Sequence, residues 1–160
     1  MDTLTLKDFE PGDEAVLFQL FSTVRSEELG MDGWEPELRD KMLRIQFDAQ
    51  RRSYRELFPH ADERLILRDG SPIGWVIVDR SRPELHGVDI ALVADERQQG
   101  IGTRVIQALQ DEAAAGNRPM GITVQRRNVR ALALYRRLGF RAIRDTEAHI
   151  VMEWSRDPQR

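Results

Sequence analysis

The sequence predicts an α+β fold, in which helices flank one central β-sheet, and three observations support this class. Segments with strand-like and helix-like spacing of apolar residues follow one another in the order βααββ and then βαβαββ. The second group contains one strand–helix–strand crossover, the connection that joins parallel strands. The length of 160 residues suits one sizeable core, so we expect residues 1–160 to form a single domain.

The first half of the chain begins with a strand and a helix. Residues 3–6 alternate polar and apolar side chains, which is typical of a half-buried strand. A helix is predicted to start at Gly12 or Asp13 and to end at Gly30. Its main apolar residues share one helical face, which we expect to be buried: Leu17, Leu20, Phe21 and Val24.

A second helix and a β-hairpin follow. Pro36 suits the first turn of a helix that continues to about residue 58. The apolar positions of this helix are sparse among charges and predict a surface location: Leu38, Met42, Ile45 and Ala49. Residues 64–80 contain two β-rich runs around the turn sequence Asp-Gly-Ser-Pro and predict a hairpin.

The second half alternates strands and helices. An apolar strand over 86–93 is expected to be buried on both faces, and a helix over 103–115 leads to a strand over 120–125. The inward face of that helix is expected to contain Val105, Ile106, Leu109 and Ala113. The remaining elements are one short helix and two closing strands, at 128–139, 140–143 and 149–154.

The loop before the helix at 103–115 has the features of an anion-binding site. Gly100 and Gly102 allow a ligand to approach the backbone without Cβ atoms in the way, and the first amides of a helix lack internal partners. Arg97 adds positive charge. The P-loop sequence is absent, and Val105 stands where a dinucleotide-binding loop requires its third glycine. The spacing alone fits a plain helix start equally well.

Composition excludes several classes of function. The chain has no cysteine, which excludes disulfides, thiolate metal sites and a cysteine nucleophile, and which fits a cytoplasmic protein. The net charge of −3 gives no support for nucleic-acid binding. No apolar run approaches the roughly 18–20 residues that span a membrane, and the N-terminal sequence lacks the pattern of a secretory signal. We therefore expect no nucleic-acid partner and no membrane association.

Charge is distributed unevenly along the chain. Residues 1–80 contain 11 basic and 17 acidic side chains, whereas residues 81–160 contain 13 basic and 10 acidic ones. Of the 24 basic residues, 22 are arginine, which suits contact with phosphates. An acidic first half and an anion-binding second half are one hypothesis, and solvated faces are the alternative.

Two motifs, in order, resemble a known family. The sequence Arg-Gln-Gln-Gly-Ile-Gly at 97–102 is similar to the Arg/Gln-x-x-Gly-x-Gly/Ala loop of the GCN5-related N-acetyltransferases (GNAT). The sequence NVRALALYRRLGF at 128–140 is similar to the family signature Asn-x-x-Ala-x-x-Leu-Tyr-x-x-x-Gly-Phe. A helix and a strand of the expected lengths join the two motifs. The resemblance is tight over about 86–144 and looser over the preceding residues.

The resemblance implies the GNAT fold, which has a mixed, mostly antiparallel central sheet with splayed parallel strands flanked by helices. It also implies acetyl-CoA as co-substrate, with its pantetheine arm bonded to the end of the first splayed strand and its pyrophosphate on the glycine loop. The cofactor-binding residues that it implies are Leu92, Val93, Arg97, Gln98, Gln99, Gly100, Ile101, Gly102, Thr103, Asn128 and Tyr135.

Tyr135 and Asn128 carry further expectations. In the family, the tyrosine at the position of Tyr135 often donates a proton to the departing CoA thiolate, and a phenol with a pKa near 10 remains protonated at neutral pH. The alternative for Tyr135 is a buried amphipathic ring. Asn128 suits the N-cap of a helix, and a cap at that position is compatible with contact to the cofactor.

The general base is not fixed by these motifs. An ammonium substrate must lose a proton before it attacks, and one family location for the base falls here at His86. Asp89 lies in the same apolar strand, where an acid is costly unless it is partnered or solvated. We rank Asp89 first and His86 second, and a structural hydrogen bond is the alternative for Asp89. No group of side chains has metal-ligand spacing, so no metal is expected.

The expected function is acetyl transfer to a primary amine of a small molecule or a protein. Because the chain has no cysteine, an acetyl-cysteine intermediate cannot form. We therefore expect the amine to attack bound acetyl-CoA directly in a ternary complex. The alternatives are a non-catalytic acyl-CoA-binding regulatory module and a transferase of larger acyl groups. The family sets its acceptor through the N-terminal helices, so we expect loop 30–38, with Met31 and Trp34, to line the acceptor pocket. Dimers are common in the family, which makes a homodimer a possible assembly.

Overall fold

The computed structural model describes residues 2–157, which contain seven β-strands and four α-helices in the predicted order. The elements are β1 Leu4–Asp8, α1 Glu14–Leu29, α2 Pro36–Leu57, β2 Asp62–Arg68, β3 Ser71–Asp79, β4 Leu85–Leu92, α3 Ile101–Ala115, β5 Met120–Gln125, α4 Val129–Arg137, β6 Arg141–Asp145 and β7 His149–Trp154. The predicted α+β class is confirmed. None of the helices within residues 2–157 is long and apolar enough to cross a membrane.

The chain divides into two compact units. The first unit contains Met1–Ile77 and Asp89–Arg97, and the second contains Val78–Val88 and Gln98–Arg160. Strands β3 and β4 each contribute residues to both units. That residues 1–160 form a single domain stays a prediction.

The strands of the first unit follow the order β1-β2-β3-β4. β1 and β2 pair antiparallel, from Leu4 opposite Arg68 to Asp8 opposite Arg64. The predicted hairpin joins β2 to β3 through Asp69 and Gly70, whose φ angles are 51° and 83°. Two positive φ angles are what a tight two-residue hairpin turn needs, which explains the Asp-Gly pair.

The first helix of this unit buries the predicted face. Leu17, Leu20, Phe21 and Val24 are all buried, and Gly30 ends α1 in the left-handed conformation. α2 lies largely at the surface, as predicted, and Leu38 and Ile45 are 50% and 63% exposed.

The buried residues of α2 are Leu43 and Phe47, one helical turn apart. The Phe47 ring packs edge-on against the rings of Phe18 and Phe21 in α1, at centroid distances of 5.2 and 5.3 Å. The guanidinium of Arg51 continues this face by lying over Phe47, 5.7 Å from its centroid. The inward face of α2 therefore includes Arg51, a charged side chain with an apolar stem, so the spacing of apolar residues did not identify this face.

The strands of the second unit follow the order β4-β5-β7-β6. β5 and β6 each pair antiparallel with β7, while β4 and β5 form a parallel pair. The parallel pairing joins Leu85–Gly87 to Met120–Ile122, three residues of each strand. Because β4 has eight residues and β5 has six, the two strands pair over only part of their length, as expected of splayed parallel strands.

Burial within this unit matches the prediction for α3 but only part of that for β4. The predicted inward face of α3 is buried, at Val105, Ile106, Leu109 and Ala113. Burial of β4 on both faces was wrong for its second half, because only Leu85, His86 and Gly87 are buried and the next five residues are half-buried. The buried part is the part that pairs with β5.

Candidate active site

The predicted phosphate loop, residues 98–103, belongs to the second unit and leads into α3. Gln98 and Gly100 adopt left-handed backbone conformations, with φ of 62° and 79°, and a Cβ atom at Gly100 would meet nothing within 4 Å. The Arg104 amide makes the first helical hydrogen bond, 3.0 Å to the Gly100 carbonyl, and no side chain caps the helix. The amides before it have no helical acceptor: Ile101, Gly102 and Thr103. Open amides at a helix start suit an anion.

Arg97, the predicted cationic residue of this loop, is held within the first unit. Its Nε donates to the Leu92 carbonyl at 2.9 Å, and its Nη1 pairs with Glu27 Oε1 at 2.8 Å. The Arg97 side chain is 20% exposed. The charge of Arg97 is therefore paired with that of Glu27, and its hydrogen bond to the Leu92 carbonyl fixes the end of β4.

Backbone groups at the end of β4 are also engaged. The Val93 N–H donates to the Ile73 carbonyl at 3.0 Å, and the Val93 carbonyl accepts from the Glu96 N–H at 3.0 Å. A carbonyl oxygen has two lone pairs, so each of the carbonyls of Leu92 and Val93 retains acceptor capacity. The carbonyls of these two residues can therefore accept hydrogen bonds from the amide N–H groups of a pantetheine arm.

The second motif places a cap and a buried ring on α4, within the second unit. The Asn128 side chain accepts from the Ala131 N–H at 3.2 Å, which confirms the predicted N-cap. Tyr135 is buried, and its ring packs edge-on against Phe140 with centroids 5.5 Å apart. The ring of the motif tyrosine is therefore part of the buried packing of this unit.

Asp89 lies in the first unit at the centre of a small polar cluster. Its Oδ2 accepts from the Tyr54 hydroxyl at 3.1 Å and from the Trp75 indole Nε1 at 2.9 Å. Tyr54 comes from the last turns of α2 and Trp75 from the middle of β3. Asp89 could be identified from the sequence, whereas its two donors could not, because they are 35 and 14 residues away along the chain.

The environment of Asp89 shifts the titration of two groups. Burial raises the pKa of Asp89, against the opposing effects of the bonds from Trp75 and Tyr54 and of the Arg25 charge. Burial and the adjacent Asp89 also raise the pKa of the Tyr54 hydroxyl, which keeps its proton at any physiological pH. A carboxylate with a raised pKa takes up a proton more readily than an ordinary aspartate, as a general base near neutral pH requires.

His86, the second candidate base, lies in the second unit. It is 8% exposed, and burial together with the Arg82 charge lowers its pKa. Its Nδ1 is 3.9 Å from Glu84 Oε1. A lowered pKa leaves the imidazole neutral at pH 7 and able to accept a proton. Within residues 2–157, no three His, Asp or Glu side chains form a metal-binding group.

Gly74 is a second feature that the sequence analysis missed. A Cβ atom at this position would lie 2.1 Å from the Ala91 carbonyl oxygen. β3 and β4 therefore approach each other so closely that only glycine fits, beside Trp75 in β3 and near Asp89 in β4. A glycine inside a strand was the available signal.

The first unit contains a cavity of about 20 Å³ beside the Asp89 cluster, bordered by Tyr54, Trp75, Phe47 and Glu63 among others. It has room for about one water molecule, so no substrate-sized molecule fits inside it. In the predicted acceptor loop, Met31 is buried in the core whereas Trp34 is 41% exposed.

The family model described as "Acetyltransferase (GNAT) family" matches residues 23–140, which is more than two thirds of the chain and includes both motifs. A search of curated proteins finds no match.

Solved structures share the fold at low identity. PaiA N-acetyltransferase from Thermoplasma acidophilum, in complex with coenzyme A, is 13% identical, with a TM-score of 0.71 over 94% of this chain and 98% of that one. An acetyltransferase from Thermus thermophilus is 18% identical, with a TM-score of 0.67 over 94% and 95%. RimL, a ribosomal L7/L12 alpha-N-protein acetyltransferase in complex with coenzyme A, is 18% identical, with a TM-score of 0.64 over 94% and 92%.

Proposed function

Because the chain belongs to the acetyltransferase (GNAT) family, we propose that it transfers the acetyl group of acetyl-CoA to a primary amine of a small molecule or a protein. The observation that carries the proposal is the uncapped start of α3, where open amides and two left-handed residues suit a pyrophosphate. The two structural neighbours that are complexes with coenzyme A support the choice of donor.

We assign acetyl-CoA to the same residues that the family resemblance implies. The amides of residues 98–103 bind the pyrophosphate, and the carbonyls of Leu92 and Val93 accept from the pantetheine amides. Asn128 contacts the cofactor at the start of α4 in addition to capping the helix. Arg97 acts by holding the Leu92 carbonyl in place, because its charge is already paired with Glu27.

The proposed reaction is direct aminolysis of the thioester in a ternary complex. Asp89, with its raised pKa, accepts the proton of the acceptor ammonium, and His86 is the second candidate for this role. The amine nitrogen bonds to the acetyl carbonyl carbon, the carbon–sulfur bond breaks, and the nitrogen loses its second proton to solvent to give the amide. Tyr135 gives its proton to the departing thiolate and regains one from solvent. Cysteine chemistry has no part in this scheme because the chain has no cysteine.

Release of free CoA thiol with a panel of amines tests the proposal. We expect thiol release that depends on both acetyl-CoA and an amine, and mass spectrometry should find the acetylated amine. Tight binding of acetyl-CoA without turnover of any amine would instead identify a non-catalytic acyl-CoA-binding module.

The phosphate role of the loop predicts a specific loss of affinity in Gly102→Val. The added side chain stands beside the first amides of α3 and should weaken CoA binding at least tenfold, or about 1.4 kcal/mol. Valine has a higher helix propensity than glycine, so the fold should survive. Calorimetric titration with CoA measures the effect. Gly116→Ala, at the other end of α3, is the control and should bind CoA normally; equal affinity in both variants would remove the phosphate role.

Charge predicts which amines are preferred. The first unit contains 11 basic and 19 acidic residues, a balance of −8, and the second contains 13 basic and 8 acidic residues, a balance of +5. The acceptor loop at 30–38 belongs to the acidic unit. We therefore expect polyamine-like and other basic amines to be acetylated faster than carboxylate-bearing amines, with a KM that rises with salt. Comparing the two classes at two ionic strengths checks this, and faster turnover of the acidic amines would contradict it.

A further inference from the structure

We propose that Tyr54 and Trp75 are positioning residues that hold the Asp89 carboxylate by one oxygen, Oδ2, and direct its other oxygen, Oδ1, to the acceptor amine. This inference rests on the proposed acetyl transfer and on Asp89 as its base. It adds two residues that belong to neither sequence motif, one from α2 and one from β3.

The geometry of the cluster supports a defined orientation of the carboxylate. The Tyr54 hydroxyl and the Trp75 indole N–H reach the same oxygen, at 3.1 and 2.9 Å, from two separate elements. Two donors that converge on one oxygen restrict rotation of the carboxylate about its Cβ–Cγ bond. Neither of these donors bonds to Oδ1, and a backbone hydrogen bond from Ile90 also acts on the carboxylate. On this assignment, Oδ1 is the oxygen that receives the proton of an ammonium substrate.

The chemistry of the two donors also favours the ionised carboxylate. An indole N–H can only donate a hydrogen bond, so Trp75 stabilises the ionised carboxylate of Asp89 more than the protonated carboxyl group. Tyr54 keeps its proton because its pKa is raised by burial and by Asp89, so it also donates. These donors partly offset the burial that raises the pKa of Asp89. Their balance with burial sets the pH at which Asp89 becomes a base.

Two other charged groups act on the titration of the cluster. Arg25, on α1, lowers the pKa of Asp89 by its charge, and Glu63, on β2, raises that of Tyr54. Removing either donor while leaving these charges in place should raise the pKa of Asp89 further. The acidic limb of the pH profile of kcat/KM should then move to higher pH.

The test is the pH profile of kcat/KM for acetyl transfer by Tyr54→Phe, Trp75→Phe and the double variant. We expect the acidic limb to move up by about one pH unit in each single variant, since a hydrogen bond to a charged group has roughly that effect. Activity should return toward the wild-type level at pH values above the shifted limb. A purely structural role would lower the thermal unfolding midpoint and leave the limb in place.

Two matched controls separate positioning from packing. Ser22→Ala removes a buried hydroxyl that has no hydrogen-bond partner, and Trp154→Phe removes an indole N–H from β7. Neither control should move the limb. If wild-type protein acetylates an amine and the limb stays fixed in Tyr54→Phe, the positioning role is overturned even if Trp75→Phe fails to fold. If wild-type protein acetylates no amine, the proposed function itself fails.

Discussion

Replacing Asp89 with asparagine is expected to lower kcat by about 100-fold or more and, at the same time, to raise the thermal unfolding midpoint at neutral pH. The rate falls because an amide cannot accept the ammonium proton, and general-base catalysis contributes roughly 10²–10⁴-fold. The unfolding midpoint rises because asparagine has the same shape and its amide oxygen still accepts from Tyr54 and Trp75. Loss of the buried charge outweighs the weaker bonds to a neutral amide, because burial is the largest influence on the pKa of Asp89.

The sign of the stability effect follows from the direction of the pKa shift. Burial raises the pKa of Asp89 above its ordinary value of 3.8, so the folded chain binds more protons than the unfolded chain between those two pKa values. The contribution of Asp89 to the free energy of unfolding is therefore greatest below pH 3.8 and is lost as the pH rises through the folded-state pKa. The unfolding midpoint of Asp89→Asn should therefore rise further above that of the wild type as the pH increases through the folded-state pKa of Asp89.

Thermal unfolding of both proteins at pH 4 and pH 8, together with kcat at pH 8, measures these effects. The midpoint difference should be larger at pH 8 than at pH 4. If Asp89→Asn is fully active, Asp89 is not the base and His86 becomes the first candidate. If Asp89→Asn is less stable than the wild type at pH 8, Asp89 serves as a structural hydrogen-bond acceptor. His86→Gln, at the second candidate position in the other unit, provides the parallel comparison.

The elements that sequence analysis predicted correctly are those set by local interactions. The face of α1, the Asp69–Gly70 turn and the Asn128 cap each depend on residues within a few positions of one another. α3 begins at Ile101, two residues before its predicted start. Hydrophobic spacing, turn preference and capping describe such contacts directly. For the same reason, the glycine loop and the α4 signature could be recognised as motifs.

The features that sequence analysis missed depend on contacts between distant segments. Leu43 and Phe47 are buried because α1 packs against them, and Leu38 and Ile45, at an equally helical spacing, face solvent. The partners of Asp89 come from α2 and β3, and nothing in the local sequence of either element points to β4. An acid in an apolar strand implied that partners exist, but only the fold identifies them.

Replacing Tyr135 with phenylalanine is expected to lower kcat about 100-fold while the dissociation constant of acetyl-CoA barely changes. Phenylalanine preserves the buried ring and its edge-on contact with Phe140, so packing on α4 remains and only the hydroxyl proton is lost. Steady-state kinetics and calorimetric titration with acetyl-CoA measure the two quantities. Phe140→Leu separates packing from proton donation, because it removes the ring contact, which is worth about 0.5–1.5 kcal/mol, and keeps the phenol. That variant should unfold at a lower temperature but lose much less kcat than Tyr135→Phe. Wild-type turnover in Tyr135→Phe would instead leave Tyr135 with the role of a buried ring.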